Sequence, residues 1–223
     1  MISEAPWSFV EQYYLDDLAE QDTTESRYAQ SWLKDVRGVS ILSLGCGPNF
    51  FEDVQFFSEV PREIVGVDLN ENNIEFLKQS AHPEMLRRRA VLKEHGIGVS
   101  LIHGDIRKKR EGFQGHFDTV YLSGVLGMFQ KTELSELLVL VHSYLKPGGR
   151  IVDIDWTDCR LSPEKYAERE SFDWYSKKGP DVEEIGKMMT VAGFTVLRHD
   201  TYTVTNPEDY GWGTIYGYLS EAR

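Results

Sequence analysis

The chain reads as an α/β domain, doubly wound around a mostly parallel seven-stranded sheet, and three observations predict it. Short, continuous β-branched runs recur from Val39 onward. Segments of helical periodicity separate them. The first run breaks into a glycine pair, and the next two each end on an acid. Strands buried on both faces and spaced by helices are what a parallel sheet of βαβ units requires.

The elements follow in order. Residues 1–37 form an N-terminal helical lid segment, with Trp7, Phe9, Val10, Tyr13, Tyr14 and Leu15, then Tyr28, Trp32 and Leu33, at roughly helical spacing. The main domain spans 38–223. Its strands are "VSILSL", "EIVGVDL", "GVSLIHGD", "HFDTVYLSG" and "RIVDIDW", and its first helices are "FFEDVQFFSEV" and "ENNIEFLKQS". "HPEMLRRRAVLKEH" extends or follows the second helix, and "TELSELLVLVHSYL" precedes the fifth strand. After Trp156 comes "SPEKYAERESFDWYSKKGP", read as helix then turn. "DVEEIGKMMTVAG" is a helix with a glycine stop, and "FTVLRHDTYTVT" and "GWGTIYGYLSEA" close the sheet as an antiparallel pair.

Composition narrows the partners. The 223 residues are 41% hydrophobic and 27% charged, which is globular, and suffice for a sizeable core. A formal net charge of −12 argues against nucleic acids and anionic membranes, which select Lys/Arg-rich faces. The basic clusters, "RKKR" at 107–110 and "RRR" at 87–89, read as a loop and a solvated helix face. Two cysteines spell no disulfide framework and no CxxC metal site. The acidic start lacks the basic region of a secretory signal, and no apolar run reaches about 18 residues, so a cytoplasmic protein is expected.

Ligands of such sheets bind beyond the carboxyl ends of the strands. The first end, "GCGPNF", places Gly45 and Gly47 around Cys46, but Phe50 stands where a dinucleotide fingerprint has its third glycine. No lysine follows the glycines, so a Walker loop is excluded as well. Asn49 tolerates positive φ and, with Glu52 three residues on, is spaced as a capping box. Asp68 ends the second strand 23 residues past Gly45, near the roughly 20-residue spacing at which a carboxylate meets a ribose. Asp105 ends the third, placed to accept a hydrogen bond from an exocyclic amine.

"LSLGCGPN", "VGVDLN", "HGDI", "FDTVYLSGVLGMF" and "LKPGGRIVDIDW", in that order, resemble the class I S-adenosylmethionine-dependent methyltransferases, a Rossmann-like family. The resemblance implies that Gly45, Cys46 and Gly47 pass beneath the methionine part of the cofactor. It implies that Asp68 holds the ribose hydroxyls, Leu69 packs on the adenine, and Asp105 with Ile106 meets the adenine amine and ring. Ser123 would lie beside the methionine moiety. Apart from the resemblance, Tyr13 or Tyr14 of the lid segment is placed to donate from above to the cofactor carboxylate. Two positions depart from the family: Ser43 replaces the acid that often precedes the first glycine, and Asn49 the third glycine.

For the chemistry, Asp155 is the first candidate for a general base, since alternation puts Asp153 and Asp155 on one side with Asp155 nearer the rim. His103 and His116 are alternatives. "LSGV" stands where methylation of nucleobase amines needs (N/D)PP(Y/F), and "YLSGVLG" offers no ligands for a metal-dependent catechol-type enzyme. The aromatic residues, with Tyr13 and Trp156 foremost, suit a pocket for a small aromatic or amine substrate. The expected activity is methyl transfer to an N or O nucleophile of a small-molecule metabolite in biosynthesis. The alternatives are a cofactor-holding fold that cyclises, decarboxylates or dehydrates, and a non-catalytic binding subunit.

Overall fold

A computed structural model describes residues 10, 11, 14, 15, 23–157, 181–204 and 214–223. Seven strands form one sheet in the order β3-β2-β1-β4-β5-β7-β6. They are β1 (Ser40–Leu44), β2 (Glu63–Asp68), β3 (Gly98–His103), β4 (Phe117–Ser123), β5 (Leu145–Thr157), β6 (Phe194–Thr203) and β7 (Thr214–Ala222). β1 to β5 pair in parallel, and β7 runs antiparallel to both neighbours. Strand order reverses between β1 and β4, so a crevice opens at their carboxyl ends.

Among the described residues six α-helices cover the sheet: α1 (Thr24–Leu33), α2 (Phe50–Asp53), α3 (Glu71–Gln79), α4 (Pro83–Glu94), α5 (Lys131–Tyr144) and α6 (Val182–Val191). Alternation along the strands divides the core. Leu42, Leu44, Val65, Val67, Val120, Leu122, Tyr216 and Tyr218 bury one face against α5 and α6. Ile41, Ile64, Tyr121, Val152 and Ile215 bury the other with Trp32, Phe50, Ile74 and Phe76. Trp32 of α1 lies against β7 because position 217 is glycine: a Cβ there would be 2.1 Å from the indole.

Three details differ from expectation, and one alternative left open by the sequence is decided, the separate helix at Pro83. The helix after the glycine turn is one α-turn, then a 3₁₀ turn at Val54–Phe56. Pro83 opens α4 as a separate helix, as its missing amide and fixed φ suit the first turn. The "KPGG" turn interrupts β5 near its start: Leu145 pairs with Phe117, but Arg150 with Thr119. The "RRR" face is not simply solvated. Arg88 is held between Glu52 and Glu84, and Arg89 donates to the carbonyls of Leu77 and Ser80. The helix and turn expected within 162–180 lie outside the described residues.

Candidate functional site

The crevice is built from strand ends tied to one another. Gly45 and Cys46 donate their amides to the Val67 carbonyl at 2.8 and 3.1 Å, and Gly104 donates to the Asp68 carbonyl at 2.7 Å. On the other side Gly124 donates to the Ile154 carbonyl at 2.8 Å. Gly45 and Gly47 adopt φ of 69° and 57°, values that side chains resist. A Cβ on Gly45 would come within 2.6 Å of Val125, whereas one on Gly47 would meet nothing within 4 Å. The turn is therefore packed from below at Gly45 and open at Gly47. Cys46 is buried beneath it, and burial raises its thiol well above the usual range.

Asp68 is 7% exposed at the tip of β2. One oxygen accepts the Gly47 amide and the other the Asn70 amide, both at 2.8 Å. Burial raises its carboxyl above the ordinary value, and these amides act against that rise. Such a carboxylate joins the glycine turn to β2 and still stands at the crevice. Leu69 is half-buried, with its carbonyl 3.0 Å from His103 Nε2. Ile106 is buried in the same cluster as Val67 and Val125. Ser123 is half-buried at the end of β4, opposite Ile154. The fold thus gathers Gly45, Gly47, Asp68, Leu69, Asp105, Ile106 and Ser123 at the ends of four adjacent strands.

Asp105 is engaged more than its sequence suggested. The Arg107 guanidinium forks onto both oxygens, the Arg107 amide donates to Oδ1 at 2.9 Å, and this pairing lowers the Asp105 carboxyl. Arg107 reaches Glu133 as well, so the "RKKR" loop is partly neutralised by its own neighbours. Tyr14 is fully buried, packs against Phe76 and His82, and donates its hydroxyl to Glu52 at 2.9 Å. Here it fixes the N-terminal segment to α2, and its donor is already spent. Tyr13 lies outside the described residues, as do Trp7, Trp174 and Tyr175.

The expected cap at Asn49 does not form. Its φ is −90°, its side chain makes no cap bond, and Oδ1 is buried without a partner. Glu52 instead accepts from Tyr14 and Arg88, and charge-assisted bonds outweigh a reach back to one amide. His116 lies just before β4, 2.8 Å from Glu63, at the opposite end of the strands from the crevice. It is not available there as a base.

Asp155 is 4% exposed. Oδ2 accepts the Gly127 amide and Oδ1 the Trp156 amide, both at 2.7 Å. Burial lifts its carboxyl to about 6, with these amides acting in the opposite direction. A carboxylate so engaged is a poor acceptor for a substrate proton in this conformation. Trp156 is half-buried against Gly124, where a Cβ would lie 2.7 Å from the ring. Sequence reasoning missed Gly127, Glu52, Arg88 and Arg107 as partners. For Asp105 and Arg107 a two-residue spacing was the available signal.

Among the described residues no group of three or more His, Cys, Asp or Glu could hold a metal ion. Nor is any helix there long and apolar enough to cross a membrane.

A family model described as a methyltransferase domain matches residues 13–199. No curated protein matches the chain by sequence. Similar solved structures include the N-methyltransferase NodS of Bradyrhizobium japonicum WM9 with S-adenosylhomocysteine, 13% identical, TM-score 0.62, with 97% of each chain covered. An S-adenosylmethionine-dependent methyltransferase of Mesorhizobium loti is 19% identical at TM-score 0.59, covering 90% of this chain and 99% of that one. The [4+2]-cyclase SpnF is 12% identical at TM-score 0.60, over 88% of this chain and 80% of its own. At such identities these likenesses speak for the fold alone. The family model speaks for the rest: the chain belongs to the methyltransferase-domain family and is an S-adenosylmethionine-dependent methyltransferase.

Proposed function

We propose that the protein methylates an N or O nucleophile of a small-molecule metabolite, aromatic or amine in character, in cytoplasmic biosynthesis. The observation that carries this reading is the wall of the crevice after β4. There the chain forms an apolar 3₁₀ turn, Leu126–Met128, beside Gly124 and the Trp156 ring. That wall has no (N/D)PP(Y/F) amide acceptor for a nucleobase, and the chain's net charge of −12 does not favour a polyanion. An apolar wall with one aromatic plane suits a small ring or a cationic amine.

S-adenosylmethionine, when bound, supplies an electrophilic methyl group on a sulfonium. The residues fit it: the open cradle at Gly47 leaves room over the turn, and Asp68 is a two-oxygen acceptor fixed by amides. In this reading Gly45, Cys46 and Gly47 pass beneath the methionine part and Asp68 holds the ribose hydroxyls. Leu69 and Ile106 flank the adenine, Asp105 accepts from its amine, and Ser123 borders the methionine moiety. In this reading the segment before α1 acts as a lid, secured by the bond of Tyr14 to Glu52, with Tyr13 and Trp156 proposed as substrate residues. The chain's task is then alignment and exclusion of water.

The test has two arms. Calorimetric titration with S-adenosylhomocysteine should show binding by the wild type and its loss in Asp68→Ala. Purified protein given radiolabelled cofactor and a metabolite extract should label a small organic product. Label found only in macromolecules, or no labelled product despite firm S-adenosylhomocysteine binding, would overturn the acceptor assignment.

A further inference from the structure

β5 sends Asp153 and Asp155 to the same face of the sheet, opposite Tyr218 and Tyr216 of β7. All four side chains are buried, beneath Leu134, Leu137 and Leu138 of α5 and Ile185 and Met189 of α6. Among the described residues the titratable groups facing Asp155 are thus Asp153, Tyr216 and Tyr218. Their hydrogen bonds are unequal. Asp155 accepts the Gly127 and Trp156 amides, while neither oxygen of Asp153 and not the hydroxyl of Tyr216 has a partner. Tyr218 donates to the Val182 carbonyl.

Strand pitch sets the two carboxyls about 7 Å apart. In a medium of low dielectric two such groups do not both ionise, and the charge settles where hydrogen-bond donors receive it. That place is Asp155. Burial and the neighbouring Asp155 both push Asp153 well above the ordinary range.

What Asp155 grips is the turn after β4. Its carboxylate fixes Gly127 and lies so close that a Cβ on that residue would stand 3.3 Å from Oδ1. The same turn is braced by Trp156 against Gly124, and its Val125 supports Gly45 of the glycine turn. We propose that Asp155 is a positioning residue for the cofactor crevice, anchoring residues 125–127 through an ionised carboxylate, while Asp153 behind it is carried as a neutral acid. The proposal rests on the reading of this crevice as the cofactor site.

The experiment is calorimetric titration of S-adenosylhomocysteine between pH 5 and 8 into wild type, Asp155→Asn, Asp153→Asn and Val125→Ala. The wild type should lose affinity about ten-fold on acidification through the pH 6 region. Asp155→Asn should bind about ten- to a hundred-fold more weakly at pH 8 and show no such fall, because an amide offers one acceptor oxygen in place of two. Asp153→Asn should keep the wild-type affinity and pH profile, since asparagine mimics a neutral acid. Val125→Ala should weaken binding and leave the profile unchanged. Wild-type behaviour of Asp155→Asn, or loss of affinity in Asp153→Asn, would overturn the proposal, as would a Val125→Ala indistinguishable from wild type. Should Asp155→Asn not fold, Asp153→Asn decides alone by the same criterion. A wild type that binds at no pH would instead refute the crevice as the cofactor site.

Discussion

At the scale of single residues, Asp153 and Asp155 make the native state sensitive to pH in a direction opposite to most carboxyls. An acid whose folded value is raised favours the native state while it is protonated. For Asp155, raised from 3.8 to about 6, that contribution is complete below about 3.8 and is lost as pH climbs through about 6. A shift of this size corresponds to about 3 kcal/mol. Asp153→Asn removes the cost of keeping its own acid neutral, so we expect a stability gain at pH 7 that vanishes near pH 4. Thermal unfolding at several pH values checks it, and an equal difference at both ends would count against it. Asp105 and Glu84, lowered by Arg107 and Arg87, work the other way, with stability lost as pH falls through their depressed values. The two carboxyls of β5 were legible as residues, because alternation alone puts them on one face. Their different fates were not, since Gly127 lies 28 positions from Asp155 and carries no local mark of its role.

Between elements, a largely buried polar joint binds α4 to α2. Arg88 and Glu52 are 12% and 3% exposed at the side chain, and their atoms meet at 2.5 and 2.9 Å. Removing one partner strands a charge, so Arg88→Ala should cost about 3–5 kcal/mol in chemical denaturation. The double variant Arg88→Met with Glu52→Gln should recover a good part of that loss, because no charge is then left unpaired. The joint of α1 with β7 is apolar. A methyl group at position 217 has only the Trp32 indole to enter, and Gly217→Ala should destabilise by about 2–3 kcal/mol. The sequence showed these elements through their periodicity but not their joints. α4 buries only Met85 and Leu92, so its apolar signal is thin and its start rested on Pro83. The capping-box spacing at Asn49 and Glu52 misled because a distant tyrosine and arginine offered Glu52 better donors.

For the whole molecule, binding at the crevice should register as global stability, since the glycine turn is bonded to β2 and packed on the β4 loop. S-adenosylhomocysteine at a hundred times its Kd should add about 2.7 kcal/mol. For a domain of this size the unfolding midpoint should rise roughly 5–10 °C by calorimetry. Asp68→Ala should abolish that rise. The architecture was readable because βαβ alternation and strand-end acids follow from local chemistry. The position of β7 was harder, for nothing in "GWGTIYGYLSEA" says that it lies inside β6. That placement has a consequence for biosynthesis. Emerging from the ribosome, residues 194–203 find no strand to join until 214–222 have followed them out. Until then β5 presents a bare flank, with its two aspartates uncovered to water. Closure of this protein is consequently a late event, and a nascent chain stalled before position 214 should be the species that chaperones hold.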